Sequence, residues 1–160
     1  MKVRIEPLNV NHARVSWKWR NNPLIWKFTG SKPDTLITED IETSWIRRVI
    51  QEDNSARYAI IVTDGETDTY VGNVQLTNIT DKQAQYHIFI GDTDYWGKGV
   101  AYKATSQLLD FGFQHLKLNR IWLEVNKANR PAVQLYVKCG FTNHYQNDNI
   151  YLVMEKYSEV

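Results

Sequence analysis

A single cysteine, Cys139, stands in the 160 residues. This excludes an intramolecular disulfide framework and a multi-cysteine metal site, and it suits a reducing cytoplasm. Charge of one sign is lacking too. Nineteen basic residues face eighteen acidic ones for a formal net charge of +1, so there is no broad electrostatic footprint for nucleic acid or an anionic membrane, and any anion site must be local. The opening stretch "MKVRIEPLNVNHARV" alternates charged and apolar residues and holds no apolar run long enough for a signal peptide or a membrane span. No repeat, low-complexity tract or linker interrupts the chain. A soluble, cytoplasmic protein with one domain over residues 1–160 is expected. His12, His115 and His144 share no helical spacing and no acidic neighbours in a ligand pattern, so no metal is implied.

What is present is 42% hydrophobic content with six Trp and nine Tyr, enough for a real core and for an aromatic-lined pocket, without separating the two uses. "KVRIEPL" alternates as a half-buried strand stopped by Pro7. "NHARVSWKWR" reads as a short helix capped by Asn11 and broken at "NNP", and residues 21–37 as an aromatic-rich loop. Thr38 caps a second helix whose apolar face is Ile41, Trp45, Ile46, Val49 and Ile50. Three strands follow over 57–63, 69–76 and 84–91 as a meander, the first two joined at Asp64-Gly65. A long helix opens in "YWGKGVAYKA", with Val100, Ala104, Leu108 and Phe111 on one face. Then come a strand "RIWLEVN", a helix "NRPAVQLYVKCGF" with Pro131 in its first turn and Gly140 at its left-handed end, and a hairpin through Asn147-Asp148-Asn149. The pattern predicts an α/β fold.

"YWGKGVAYKA" raises the question of which anion it serves. A dinucleotide fingerprint needs a small third residue where Tyr102 stands, and a triphosphate loop needs Gly-Lys-Ser/Thr where Gly99 follows Lys98. What survives is a strand, a short turn, and Gly97, Gly99 and Ala101 opening a helix, whose first amides lack internal partners and carry the positive end of the dipole. A tight strand-to-helix turn with no ligand would use the same two glycines.

With "GDTDYWGKGVAYKA", "LEVNKANRPAVQLYVKCGF", "YVGNVQL" and "WRNNP" in this order, the chain resembles the GNAT superfamily of acetyl-CoA-dependent N-acetyltransferases over nearly all its length. It is most similar to the branch of ribosomal-protein N-terminal alanine, polyamine and amino-sugar-nucleotide acetyltransferases. The resemblance implies a mixed, splayed sheet of about seven strands flanked by about four helices, and acetyl-CoA as co-substrate. It implies that the amides of Trp96, Gly97, Lys98, Gly99, Val100 and Ala101 hold the pyrophosphate, Trp96 standing where Arg or Gln is usual. The pantetheine arm would pair with the strand near Phe89 and Ile90, Asn129 would hydrogen-bond it, and Tyr136 would protonate the leaving thiolate.

The chemistry needs these parts. An alkyl amine with a pKa of about 10 must lose a proton before attacking a thioester, the oxyanion that forms needs a donor such as a strand amide, and the thiolate needs an acid. Relatives often carry glutamate where this chain has Gln85, and glycine where it has His87. Gln85, His87 and Phe89 share one strand face, so His87 is a candidate base, directly or through water, and equally a structural histidine. An acyl-cysteine route through Cys139 and His144 is not needed by this chemistry. By resemblance the acceptor meets the loop after the first helix, the third and fourth strands and the last hairpin. Arg20, Asn21, Trp26, Asn73, Gln85, His87 and Tyr145 are the candidates there. A small amine such as an amino sugar or its nucleotide is the favoured acceptor, since "WRNNP" also appears in amino-sugar members. A protein N-terminal amine is the alternative, and a non-catalytic acetyl-CoA sensor a third reading. Exposed edge strands make a homodimer plausible.

Overall fold

The computed structural model describes residues 1–27, 32–146 and 148–159. A sheet of seven strands runs in the order β1-β2-β3-β4-β5-β7-β6, with β1 Lys2–Pro7, β2 Ala56–Asp64, β3 Thr67–Thr77, β4 Gln83–Ile90, β5 Arg120–Asn126, β6 Thr142–Gln146 and β7 Tyr151–Tyr157. Five α-helices accompany it: α1 Ala13–Arg20, α2 Pro23–Trp26, α3 Glu39–Val49, α4 Val100–Asp110 and α5 Arg130–Lys138. The fifth, beyond the expected four, is the single turn α2 inside the loop after α1. Asn22 accepts from the Leu24 amide and Pro23 takes a position whose missing N–H is not needed.

Alternation along β2 sorts the two faces. Ile60 and Val62 enter the larger core with Leu76, Tyr86, Ile121, Leu123 and the α4 residues Val100, Ala104 and Leu108. Ala59 and Ile61 point to the other face and pack with Leu8, Ala13 and Ile46 under α1 and α3. Two sequence expectations are corrected on that second face. Asn11 does not cap the first helix. Asn9 instead caps the 3-10 turn before it: its side chain accepts from the Asn11 amide while His12 Nδ1 accepts from the Asn9 amide, and α1 follows from His12 without a side-chain cap of its own. The buried stripe of α3 is Glu42, Ile46 and Val49, whereas Ile41 and Ile50 are exposed. Glu42 is tolerated inside because Arg20 reaches it at 3.2 Å. Thr38 caps α3 as expected. Of the last hairpin's turn, Asn147 lies outside the described residues, while Asp148 accepts from the amides of Ile150 and Tyr151.

The feature that matters for function is where the sheet comes apart. β4 follows β3 from Gln85↔Thr77 to Ile90↔Gly72, and β5 follows β7 along its whole length. The two halves meet only at Gln83↔Arg120, Ala84↔Ile121 and Gln85↔Trp122. β3 carries a bulge around Val71, whose carbonyl takes the amides of both Gly91 and Asp92. A bulge bends and twists its strand, and β4 stays with β3. Gly72 permits the close approach, since a Cβ there would lie 2.3 Å from the Phe89 carbonyl oxygen. From Tyr86 onward β4 and β5 therefore diverge, leaving a V-shaped gap with a main-chain edge.

Candidate active site

The Gly91 amide donates to Val71 on β3 at 2.8 Å. A trans peptide points its carbonyl opposite to its amide, so the Ile90 carbonyl faces the gap. Ile88, two residues back, presents its main chain to the same side. Phe89 is turned the other way: its main chain faces its register partner Asn73, and its ring packs edge-on to Trp19. Ile88 is thus the edge residue that sequence reasoning missed. Sequence locates the strand, but which parity faces the gap is decided by the register with β3.

At the mouth of the gap, Gly97 (φ 72°) and Gly99 (φ 80°) sit in the left-handed region, and a Cβ on either would meet nothing within 4 Å. The glycines are there for conformation, and they leave open space above the turn. The first amide to bond back across the helix end is that of Lys103, to the Gly99 carbonyl at 3.2 Å. The amides before it, through Val100 and Ala101, are those a helix start leaves without internal partners. Lys98 lies over Tyr95 and Lys138 over Tyr102, so two ammonium groups flank the turn. Backbone amides, a helix dipole and flexible cations fit a pyrophosphate. Trp96 is half-exposed, and its indole N–H donates to the Ile90 carbonyl at 2.8 Å.

At the closed end, Tyr86 is the first β4 residue past the last pair with β5. Its hydroxyl shares a hydrogen bond with Thr105 on α4, and its ring meets that of Tyr136 edge-to-face at 6.1 Å. Tyr136, on α5, is buried at 8% exposure, and its hydroxyl bonds to no described residue. Burial pushes its acidity well below that of an ordinary phenol, with the nearby Cys139 thiol acting in the same direction. The side chain therefore keeps its proton at neutral pH. Cys139 is itself buried, and burial raises its thiol too, so it is held as a thiol. Asn129 caps α5 by accepting from the Ala132 amide at 3.3 Å, and it follows β5 at the far side of the gap.

The second face of β4 carries His87 in one cross-strand row with Arg57 and Gln75. Its Nε2 lies 3.0 Å from the Thr77 hydroxyl. Burial lowers its pKa, and the Arg57 charge lowers it further. Gln85 lies next along that face and meets the side-chain amide of Asn78, and Tyr145, half-exposed on β6, stacks edge-on with His144. β6 lies three strands from β4, whereas Asn73 stands opposite Phe89, one row along the same face from His87. Asn73 is buried and accepts from the Tyr70 hydroxyl. Asn21 spans the loop, donating to the Trp17 and Ile37 carbonyls and accepting from the Ile37 amide. Arg20 pairs with Glu42 and lies over Trp45, and Trp26 carries Lys32 over its ring. "WRNNP" thus acts as a loop clamp, Asn21 tying the chain down and Asn22 starting α2. No group of metal ligands occurs among the described residues, and among them no helix is long and apolar enough to cross a membrane.

A half-split mixed α/β sheet with a glycine turn and helix start at the mouth of the split defines the class of fold. Residues 2–142 match the family described as "Acetyltransferase (GNAT) domain", and the chain belongs to that family. It is 31% identical over 161 residues to spermidine N(1)-acetyltransferase of Vibrio cholerae, covering 99% of this chain and 90% of that one. It is 26% identical over 152 residues to acetyltransferase PseH of Campylobacter jejuni, covering 95% and 90%. The crystal structure of the Vibrio cholerae spermidine N-acetyltransferase with CoA and spermine shares the fold at a TM-score of 0.83, with 24% identity and 97% and 95% of the two chains covered. The protein is an acyltransferase, a GNAT N-acetyltransferase acting on amines, and members of this family use acetyl-CoA.

Proposed function

We propose that this enzyme moves acetyl from acetyl-CoA to the primary amine of a small acceptor by direct attack in a ternary complex, the acceptor being an amino sugar or its nucleotide. The observation that carries the reading is the gap itself, with the open amides of Gly97 to Ala101 at its mouth and the buried phenol of Tyr136 at its vertex. The pyrophosphate binds the turn, the arm pairs with the main chain of Ile88 and Ile90, and Asn129 holds it from the opposite side. A strand amide facing the gap, that of Ile88, stabilises the oxyanion. Tyr136 delivers its proton to the departing thiolate, and His87 removes the amine's proton from the second face. The tautomer in which Nε2–H donates to Thr77 leaves the Nδ1 lone pair that this requires.

The charge on the second face supports a sugar over a polycation. Glu155 is taken by Arg120 at 2.6 Å and His144 at 3.0 Å, and Glu42 by Arg20. Gln85 stands where relatives often supply a carboxylate. Binding a polyamine favours unpaired acids. The test is thiol release from acetyl-CoA with a panel of amino-sugar nucleotides, amino sugars, polyamines and peptides with free N-termini. Turnover should be fastest with an amino sugar or its nucleotide, and Tyr136→Phe should lower kcat about 10²- to 10³-fold with little change in the KM for acetyl-CoA. Preference for a peptide would move the reading to a protein N-terminal acetyltransferase. Donor binding without turnover on any amine would make the protein a sensor.

A further inference from the structure

Trp96 lies between the two parts of the donor site. The chain runs from the end of β4 at Ile90 through a 3-10 turn, Thr93–Tyr95, to Trp96 and then directly into the glycine turn. The indole folds back so that its N–H meets the Ile90 carbonyl at 2.8 Å. That carbonyl is the outermost main-chain acceptor on the gap edge, and an arm leading from the amides at Gly97 to Ala101 into the gap must pass it. The ring is 45% exposed, so water awaits the N–H once it lets go, and no core packing resists its rotation.

We propose that Trp96 is a positioning residue that plugs the mouth of the gap in the donor-free protein, and that its indole N–H yields the Ile90 carbonyl to the incoming arm and turns to water. The inference rests on the donor reading proposed above. The plug holds the end of β4 at its spacing from the helix start and makes the donor displace one hydrogen bond. A single neutral hydrogen bond is weak in net terms, so the effect on affinity is modest and in a defined direction. Phe at this position carries no donor and leaves the carbonyl free.

The experiment compares the wild-type chain with Trp96→Phe by calorimetric titration with coenzyme A, alongside steady-state KM for acetyl-CoA. The variant should bind about three- to tenfold more tightly and show a lower KM for acetyl-CoA. Its thermal midpoint should fall only slightly, because one neutral hydrogen bond at a half-exposed ring is lost. In protein labelled with 5-fluorotryptophan, the resonance that Trp96→Phe deletes should move on adding coenzyme A. Equal or weaker binding by the variant, or a Trp96 resonance that stays in place at saturation, overturns the inference while leaving the donor reading intact. Absence of binding by both proteins overturns the donor reading and this inference with it.

Discussion

At the scale of single residues, two side chains with opposite needs address β4 from its two faces: Tyr136 meets Tyr86 from α5, and His87 is the next β4 residue, turned to the other face. In the proposed mechanism Tyr136 holds its proton until a thiolate leaves, as a phenol does at neutral pH, and burial favours that protonated form further. His87, as the proposed base, has to lack a proton when the amine arrives. Burial first, and then the neighbouring Arg57 charge, keep it neutral further into acid than a free imidazole. The sign follows: the base form is lost only when pH falls through the lowered pKa. The acid limb of the kcat profile should therefore lie below pH 6.5, the ordinary histidine value. His87→Gln should remove that limb and cut kcat by about 10²-fold. A limb at or above 6.5 in the wild type, or one that survives in His87→Gln, would assign the base to another group. Neither environment can be read from the sequence. A tyrosine in "LYVKCGF" and a histidine in "AQYHIFI" are recognisable as candidates, but their burial depends on α5, β2 and β4 meeting in space.

At the scale of elements, α3 is the clearest case of local pattern yielding to tertiary contact. Ile41 and Ile50 have the hydrophobicity for the inner face, yet Glu42 takes it, because the stripe through Ile46 and Val49 runs through position 42 and Arg20 arrives from α1. Burial raises the Glu42 carboxyl, and Arg20 and Ser16 oppose that rise. A raised acid pKa means the folded state binds its proton more tightly than the unfolded one. Stability from this group is full below its unfolded value and declines as pH rises through the folded one. Arg20→Met leaves the carboxylate uncompensated, and chemical denaturation at pH 7 should show a loss of about 2–3 kcal/mol, recovered in part by adding Glu42→Gln. α4 illustrates the opposite situation, where sequence suffices. Gly97 and Gly99 announce their left-handed turn, and Pro131 and Gly140 bracket α5 as written. Gly99→Ala meets no steric obstacle, so its cost is conformational, about 1–2 kcal/mol. The KM for acetyl-CoA should rise as the turn relaxes away from its cradle, measured in the same thiol-release assay.

For the whole molecule, the sheet is two half-sheets hinged at three residue pairs. Side chains reinforce the hinge. Arg120 on β5 donates through Nε to Glu155 on β7 at 2.6 Å and through Nη1 to Gln83 on β4 at 3.0 Å, crossing the seam between the halves. Burial alone would raise the Glu155 carboxyl, but Arg120, His144 and Tyr157 together hold it below the usual range. Stability from it is therefore present above the ordinary glutamate pKa and lost as pH falls through the depressed one. Arg120→Met should lower global stability by about 1–2 kcal/mol, a value discounted for the residual exposure of both partners. It should also speed amide exchange selectively at residues 83–86 and 120–122. Uniform acceleration across all seven strands would show that the bridge does not act at the seam.

The chain order of strands and of the longer helices, the glycine turn, the Thr38 cap and the tyrosine of α5 are local in origin, and the sequence by itself determined them. Propensity, side-chain period and positive φ act within a few residues of where they are written. The divergence of β4 from β5, the parity that turns Ile88 and Ile90 rather than Phe89 toward the gap, and the bond from Trp96 to Ile90 were decided only by tertiary structure. Each depends on strand register across the sheet. A one-residue change of pairing reverses every main-chain and side-chain direction without altering a letter of the local pattern.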